Sequence, residues 1–170
     1  MVHLGRHSCG VPWPAVPWCT FSRPLTRAHF DGLCQPKNPG GYACGGWVID
    51  PHSAVPQLVT GLVGGAFYCR GDGATNNVAE YNAALDTLAA LLATGYHDPV
   101  VLHGDSQIVV HQFNGVFKCR DVKLQPLLAQ LRQRADLFSS FEMVWVPREN
   151  NEAADEQSRL AYRRAIASGE

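Results

Sequence analysis

The stretch ATNNVAEYNAALDTLAALLATG, residues 74–95, is where the chain changes its period. Val78, Tyr81, Leu85, Leu88 and Leu92 recur three and four residues apart, the spacing of one apolar helix face. Asn76 or Asn77 can cap the start of this helix, and Gly95 stands where its end is expected. Upstream the pattern is that of strands. Leu25 to Phe30 runs into Asp31-Gly32, Tyr42 to Ile49 is closed by Asp50-Pro51, and Gln57 to Cys69 carries Gly61, Gly64 and Gly65 as candidate bulges or bends. Three strands in succession imply an antiparallel meander. Downstream, Val100 to Leu102 reads as a short buried strand and Ser106 to Phe113 as a short helix. Leu124, Leu127, Leu128, Leu131, Ala135 and Phe138 mark another amphipathic helix, with Pro126 tolerable in its first turn. Phe141 to Val146 reads as a fifth strand and Asn151 to about Ala167 as a last helix. The order βββαβαβα predicts an α/β fold, a mixed sheet covered by helices.

Length and composition set bounds around that frame. At 170 residues, 46% hydrophobic and 17% charged, the chain suits one domain with a proper core. Residues 1–22 differ from the rest: Pro12, Pro14 and Pro17 alternate with Trp13 and Trp18 without a period, so they read as an irregular extension ahead of a domain at 23–170. The formal charge is −1, so no global field draws the protein to nucleic acid. A nucleic-acid site would have to be local or lean on bound cations. The six cysteines form no Cys-x-x-Cys pair, and no signal peptide or membrane span is legible. A reduced cytoplasmic setting and a monomer are expected, with His3, His7, Cys9 and Cys19 a weak zinc candidate on irregular spacing.

The chemistry lies in where the acids fall. Asp31 sits at the end of an apolar strand, where a charge is costly unless paired or bound to a metal. Glu80 borders the buried arc of its helix, while Asn82 and Asp86 fall on the solvent side. Asp105 directly follows Val100-Val101-Leu102, the loop position where α/β sheets place ligands. Asp155 lies in the first turns of the last helix. Singly, each has an ordinary explanation: a turn residue, a helix-dipole partner, a cap, a solvated face. Four hard oxygen donors at strand ends and helix starts are what Mg²⁺ or Mn²⁺ requires. Two such ions about 3.5–4 Å apart stabilise both oxygens of a phosphoryl displacement.

Four segments carry a family resemblance. Phe30-Asp31-Gly32 with Asn38-Pro39-Gly40-Gly41, then Ala74-Thr75-Asn76-Asn77-Val78-Ala79-Glu80-Tyr81, then Gly104-Asp105-Ser106-Gln107, then Trp145-Val146-Pro147-Arg148-Glu149-Asn150-Asn151 running on to Ala154-Asp155, resemble in order the motifs of type 1 ribonucleases H. The resemblance spans roughly residues 25 to 165. It implies a ribonuclease H-like fold: a five-stranded mixed sheet, first three strands antiparallel, flanked by helices. It also implies an endonuclease that hydrolyses the RNA strand of RNA/DNA hybrids, leaving 5′-phosphate and 3′-hydroxyl ends. Asp31, Glu80, Asp105 and Asp155 match the acids that hold two Mg²⁺ ions, with Mn²⁺ as an alternative. Gly32, Asn38, Asn76, Asn77, Gln107 and Arg148 match or neighbour substrate-binding positions. Asn and Gln carry both donor and acceptor and can read a 2′-hydroxyl or a base edge; the asparagine pair can also simply cap its helix.

Two departures from the family pattern stand out. No His lies between Trp145 and Asp155, where many members carry one on a loop; its role is absent or falls partly to Arg148 or Glu149. Between His111 and Leu124 there are only Lys118, Arg120 and Lys123 and no room for a basic helical protrusion, so the resemblance is to the compact branch. Discrimination against double-stranded RNA would be looser, which makes that duplex a second candidate substrate. Proofreading-type exonucleases place Asp-x-Glu on the first strand, and here Leu33 follows Asp31 at that spacing. Integrases bring larger basic regions, and a catalytically silent binding module has no use for all four acids.

Overall fold

The computed structural model describes residues 25–50 and 62–170. The extension at 1–22 with its candidate zinc ligands, the domain boundary, and the expected third-strand start at Gln57 lie outside the described residues. The elements are β1 (Thr26–Gln35), β2 (Tyr42–Ile49), β3 (Val63–Arg70), α1 (Asn76–Ala93), β4 (Val100–Gly104), α2 (Gln107–Phe113), α3 (Gln125–Ala135), β5 (Phe141–Trp145) and α4 (Glu152–Ser168), with one 3₁₀ turn at Arg148–Asn150. They form a five-stranded sheet in the order β3-β2-β1-β4-β5. The first three strands are antiparallel, and β4 joins β1, and β5 joins β4, in parallel. The mixed sheet read from the sequence is the observed one.

Each face of the sheet has its own cover. Ala28, Phe30, Ile49, Val100 and Leu102 bury one face against Tyr81, Leu85, Leu88 and Leu91 of α1, with Leu128 and Leu131 of α3 closing the same core. On the other face Cys44, Leu33, Tyr42 and Phe67 pack on Ala161, Ala165 and Tyr162 of α4. The period-2 alternation of β2 sends successive residues to opposite helices.

Several boundaries differ from the sequence reading, each for a physical reason. Strand β1 does not end at Asp31: the ladder with β2 continues through Gly32↔Gly45 to Gln35↔Tyr42, so Asp31 lies inside a ten-residue strand. The irregularity in β3 falls not at Gly64 or Gly65, which pair regularly with Trp47 and Gly46, but opposite Ala43/Cys44, where the register skips Tyr68. Thr75 caps α1, its Oγ1 accepting from the Val78 amide at 3.1 Å, because Asn76 and Asn77 are already helical. Gly95 does follow the end of α1, with φ 75°. Helix α3 stops at Ala135, leaving Phe138 to turn inward against Tyr96 and Phe141. Asp86 is half-buried rather than on the solvent side, since its carboxylate accepts the Tyr68 hydroxyl at 2.9 Å.

Candidate active site

The parallel ladder between β1 and β4 ends at Phe30↔Gly104. Asp31, inside β1, and Asp105, just after β4, are therefore the first residues beyond that ladder, where the two chains part and an α/β sheet opens a crevice. Two glycines bring helices down onto this point. A Cβ on Gly32 would lie 2.2 Å from the Glu80 amide nitrogen, so only glycine lets α1 approach β1 closely enough for Glu80 to reach the strand ends. On the other face, a Cβ on Gly46, the cross-strand partner of Asp31, would lie 2.1 Å from the Ser158 nitrogen. Its absence lets α4 settle low, and the Ser158 hydroxyl donates to Asp31 Oδ2.

The result is a three-carboxylate cluster. Asp31, Glu80 and Asp105 each bring an oxygen within 4.8 Å of the others. Asp31 and Glu80 are each only 4% exposed, and Asp105 is half-buried. Burial pushes Asp31 up to about 7, and the nearby Asp105 and Asp155 charges add to it against the Ser158 hydrogen bond and Arg148. Burial likewise holds Glu80 well above the usual carboxylate range, with Asp31 and Asp105 reinforcing it and the Gly32 amide opposing. Glu80 Oε2 has no hydrogen-bond partner. An orphaned carboxylate oxygen, buried beside two further acids, is a costly arrangement for protein atoms alone. It suits a divalent cation with hard oxygen ligands, and the donor set contains no softer atom.

Around the acids lies a cleft of about 400 Å³. Gly32, Asn76, Asn77, Gln107 and Arg148, all singled out from the sequence, line it with the four acids. Asn38, also singled out from the sequence, is exposed and does not line the cleft: its Oδ1 accepts from the Asn76 amide at 3.1 Å, while Asn76 Oδ1 accepts from the Cys34 amide at 3.0 Å, tying the β1–β2 loop to the start of α1. Asp155 lines the cleft but stands outside the three-acid cluster. Its two oxygens are taken by guanidiniums, Oδ1 by Arg148 at 2.7 Å and Oδ2 by Arg159 at 2.9 Å.

Three supporting residues were given no role by the sequence, although Trp145 and Asn151 stand in the fourth motif. Asn151, 1% exposed, donates from Nδ2 to the Phe30 carbonyl at 2.9 Å and to Asp105 Oδ1 at 3.4 Å, and its Oδ1 faces His29 Nδ1 at 3.2 Å. It thereby links the backbone before Asp31 to the Asp105 side chain. Burial lowers the proton affinity of His29, which stacks on His103 at 4.7 Å, so a neutral ring donating to Asn151 fits the contact. Trp145 Nε1 donates to the Asp105 carbonyl at 3.0 Å, and Ser158 orients Asp31. Ser158 lies outside every motif segment, and for all three residues only their neighbours in space give them a role.

The chain is similar in sequence and fold to known proteins. The Reverse transcriptase-like family model matches residues 29–161. Ribonuclease HI of Halobacterium salinarum is 37% identical over 132 residues, covering 76% of this chain and 60% of that protein's length. Among solved structures, RNase H1 from the same archaeon superimposes with a TM-score of 0.70 at 32% identity, covering 83% of this chain and 99% of that one. LC11-RNase H1, solved in complex with an RNA/DNA hybrid, gives a TM-score of 0.70 at 27% identity over 83% of this chain and 99% of its own. Among the described residues, no helix occupies residues 114–124, where larger relatives would carry a basic protrusion. From its motif order, its sheet and these matches, the chain belongs to the type 1 ribonuclease H family, in the compact form without that protrusion and without a His-bearing loop before Asp155.

Proposed function

We propose that this protein is an endoribonuclease that hydrolyses the RNA strand of RNA/DNA hybrids by two-metal-ion catalysis, leaving 5′-phosphate and 3′-hydroxyl ends. The observation that carries the reading is the buried meeting of Asp31, Glu80 and Asp105 at the strand ends, with one Glu80 oxygen unpartnered. Asp31, Glu80, Asp105 and Asp155 would hold the cations, Mg²⁺ or alternatively Mn²⁺. When bound, these ions supply Lewis-acid stabilisation of the attacking and leaving oxygens.

The chain's own residues do the rest. Ser158 and the Gly32 amide fix the Asp31 and Glu80 carboxylates, so their oxygens need not reorganise during the reaction. Asn76, Asn77 and Gln107 line the cleft beside the acids, where their paired donors and acceptors can read a 2′-hydroxyl across a minor groove. Asn38 holds the Asn76 amide, Gly32 lets α1 bring Glu80 close to Asp31, and Arg148 offers a guanidinium to a backbone phosphate. In this reading catalysis rests on position and charge, with no covalent enzyme intermediate.

The reading implies a monomer acting on hybrids in the cytoplasm, with double-stranded RNA as the second duplex to assay. The test is cleavage of end-labelled duplexes by the full chain with Mg²⁺. Expected are internal cuts in the RNA strand of the hybrid, none in a DNA/DNA duplex, and complete loss of cutting in EDTA. Efficient cleavage of DNA/DNA, or a hybrid left intact at every divalent ion tried, would refute the assignment.

A further inference from the structure

Within the site just described, the ion pairs that Arg148 and Arg159 make with Asp155 have no part in the proposed reaction as it stands. Arg148, on the 3₁₀ turn, and Arg159, one turn along α4, each take one oxygen of Asp155, at 2.7 and 2.9 Å. Both of its oxygens are thus engaged, and Asp155 stays apart from the three acids that do converge. The two arginines are anchored on different elements, so they hold the carboxylate from two directions. Their side chains are 69% and 56% exposed while that of Asp155 is 13% exposed, so the contacts are easily exchanged.

We infer that Arg148 and Arg159 act as a clamp that keeps Asp155 in reserve, so that the substrate-free protein takes its first divalent cation on Asp31, Glu80 and Asp105 alone. Asp155 becomes a ligand only when the guanidiniums let go. A phosphodiester is a chemically matched competitor for them, since a guanidinium binds carboxylate and phosphate through the same planar fork. The clamp makes cation binding by the free protein weaker than four acids would otherwise give. Arg148 and Arg159 are positioning residues in this scheme: they act on the ion through Asp155. The inference rests on the reading that these acids bind divalent cations.

The experiment is calorimetric titration of Mn²⁺ into the full chain without nucleic acid. Releasing two exposed ion pairs predicts that Arg148→Gln/Arg159→Gln binds Mn²⁺ ~3–10-fold more tightly or gains a second equivalent. Removing two positive charges beside acids would by itself favour a cation. The same double substitution is therefore also made in an Asp155→Asn background, where the clamp predicts less than a roughly twofold gain, below the affinity step that a weak ion pair supplies. Arg148→Lys/Arg159→Lys, which keeps the charge, should bind no more tightly than the native chain. No gain from the glutamine pair, or an equal gain without Asp155, overturns the clamp. If the double variant fails to fold, Arg159→Gln alone, which leaves the turn residue in place, must still show a gain that depends on Asp155. Hybrid cleavage by the native chain is scored in parallel. Cleavage without the affinity gain rejects the clamp and leaves the nuclease reading standing; a gain without cleavage does the reverse.

Discussion

At the scale of single residues, the site is defined by carboxylates placed where carboxylates are unfavourable. Asp31 has a pKa near 3.8 when free in water and about 7 in the folded chain without metal, chiefly through burial. The folded state therefore holds the proton more tightly than the unfolded one. The contribution of Asp31 to the stability of the metal-free protein is greatest below pH 4, falls as the pH rises towards 7, and stays at that deficit above it. Each tenfold gain in proton affinity on folding corresponds to about 1.4 kcal/mol. Asp31→Asn keeps an acceptor for Ser158 and removes this titration. Its metal-free melting temperature should exceed that of the native chain by several degrees at pH 8, with the gap shrinking at pH 5. The same variant should lose more than ~100-fold in hybrid cleavage, beyond the ~10–100-fold typical of losing a mere supporting partner of a metal ligand. Equal melting at both pH values would contradict the buried-charge argument, and retained turnover would remove Asp31 from the mechanism.

At the scale of elements, two glycines decide whether the acids can meet. Gly32 lets α1 rest on β1, and Gly46 lets α4 rest on β2, on opposite faces of one antiparallel pair. The obstacles that a methyl group would meet are backbone atoms, which cannot swing aside as a side-chain tip can. Gly32→Ala and Gly46→Ala should each destabilise the chain by about 1–3 kcal/mol or more, as overpacking does, measured by urea unfolding. They should differ in site chemistry: Gly32→Ala displaces Glu80, while Gly46→Ala separates Ser158 from Asp31. Variants as stable as the native chain would mean that the helices do not sit as closely as described. The asparagines illustrate how far sequence reading reaches. Their place at the start of α1 was legible from spacing, but the actual cap is Thr75, and the bond from Asn38 to the Asn76 amide spans 38 residues with no local signature.

At the scale of the whole molecule, a net charge of −1 sets up no strong field, and the acids that matter are gathered locally, in a cluster of Asp31, Glu80 and Asp105 that could hold a divalent cation. Any ligand that binds only the folded form stabilises it by mass action, about 2.7 kcal/mol at one hundred times its dissociation constant. Saturating Mg²⁺ should therefore raise the melting temperature at pH 8 by several degrees, and EDTA should reverse the rise. The effect should shrink at pH 5, where protons compete for Asp31 and Glu80, whose affinities for them are both raised. A melting temperature indifferent to Mg²⁺ at pH 8 would show that the cluster does not take the ion.

The sequence by itself determined the order of elements, the antiparallel start of a mixed sheet, and the positions of the acids along the chain. Those follow from local periodicity, turn residues and burial preference, each of which acts over a few neighbours. Only the tertiary structure decided that Asp31 lies inside its strand and that three acids converge while Asp155 is held by two arginines. It alone showed that Asn151 and Ser158 support the cluster. The Asn151–Phe30 and Ser158–Asp31 contacts join residues more than a hundred positions apart, and they form because strand register and missing glycine side chains bring distant backbone together. No stretch of sequence read locally contains that distance.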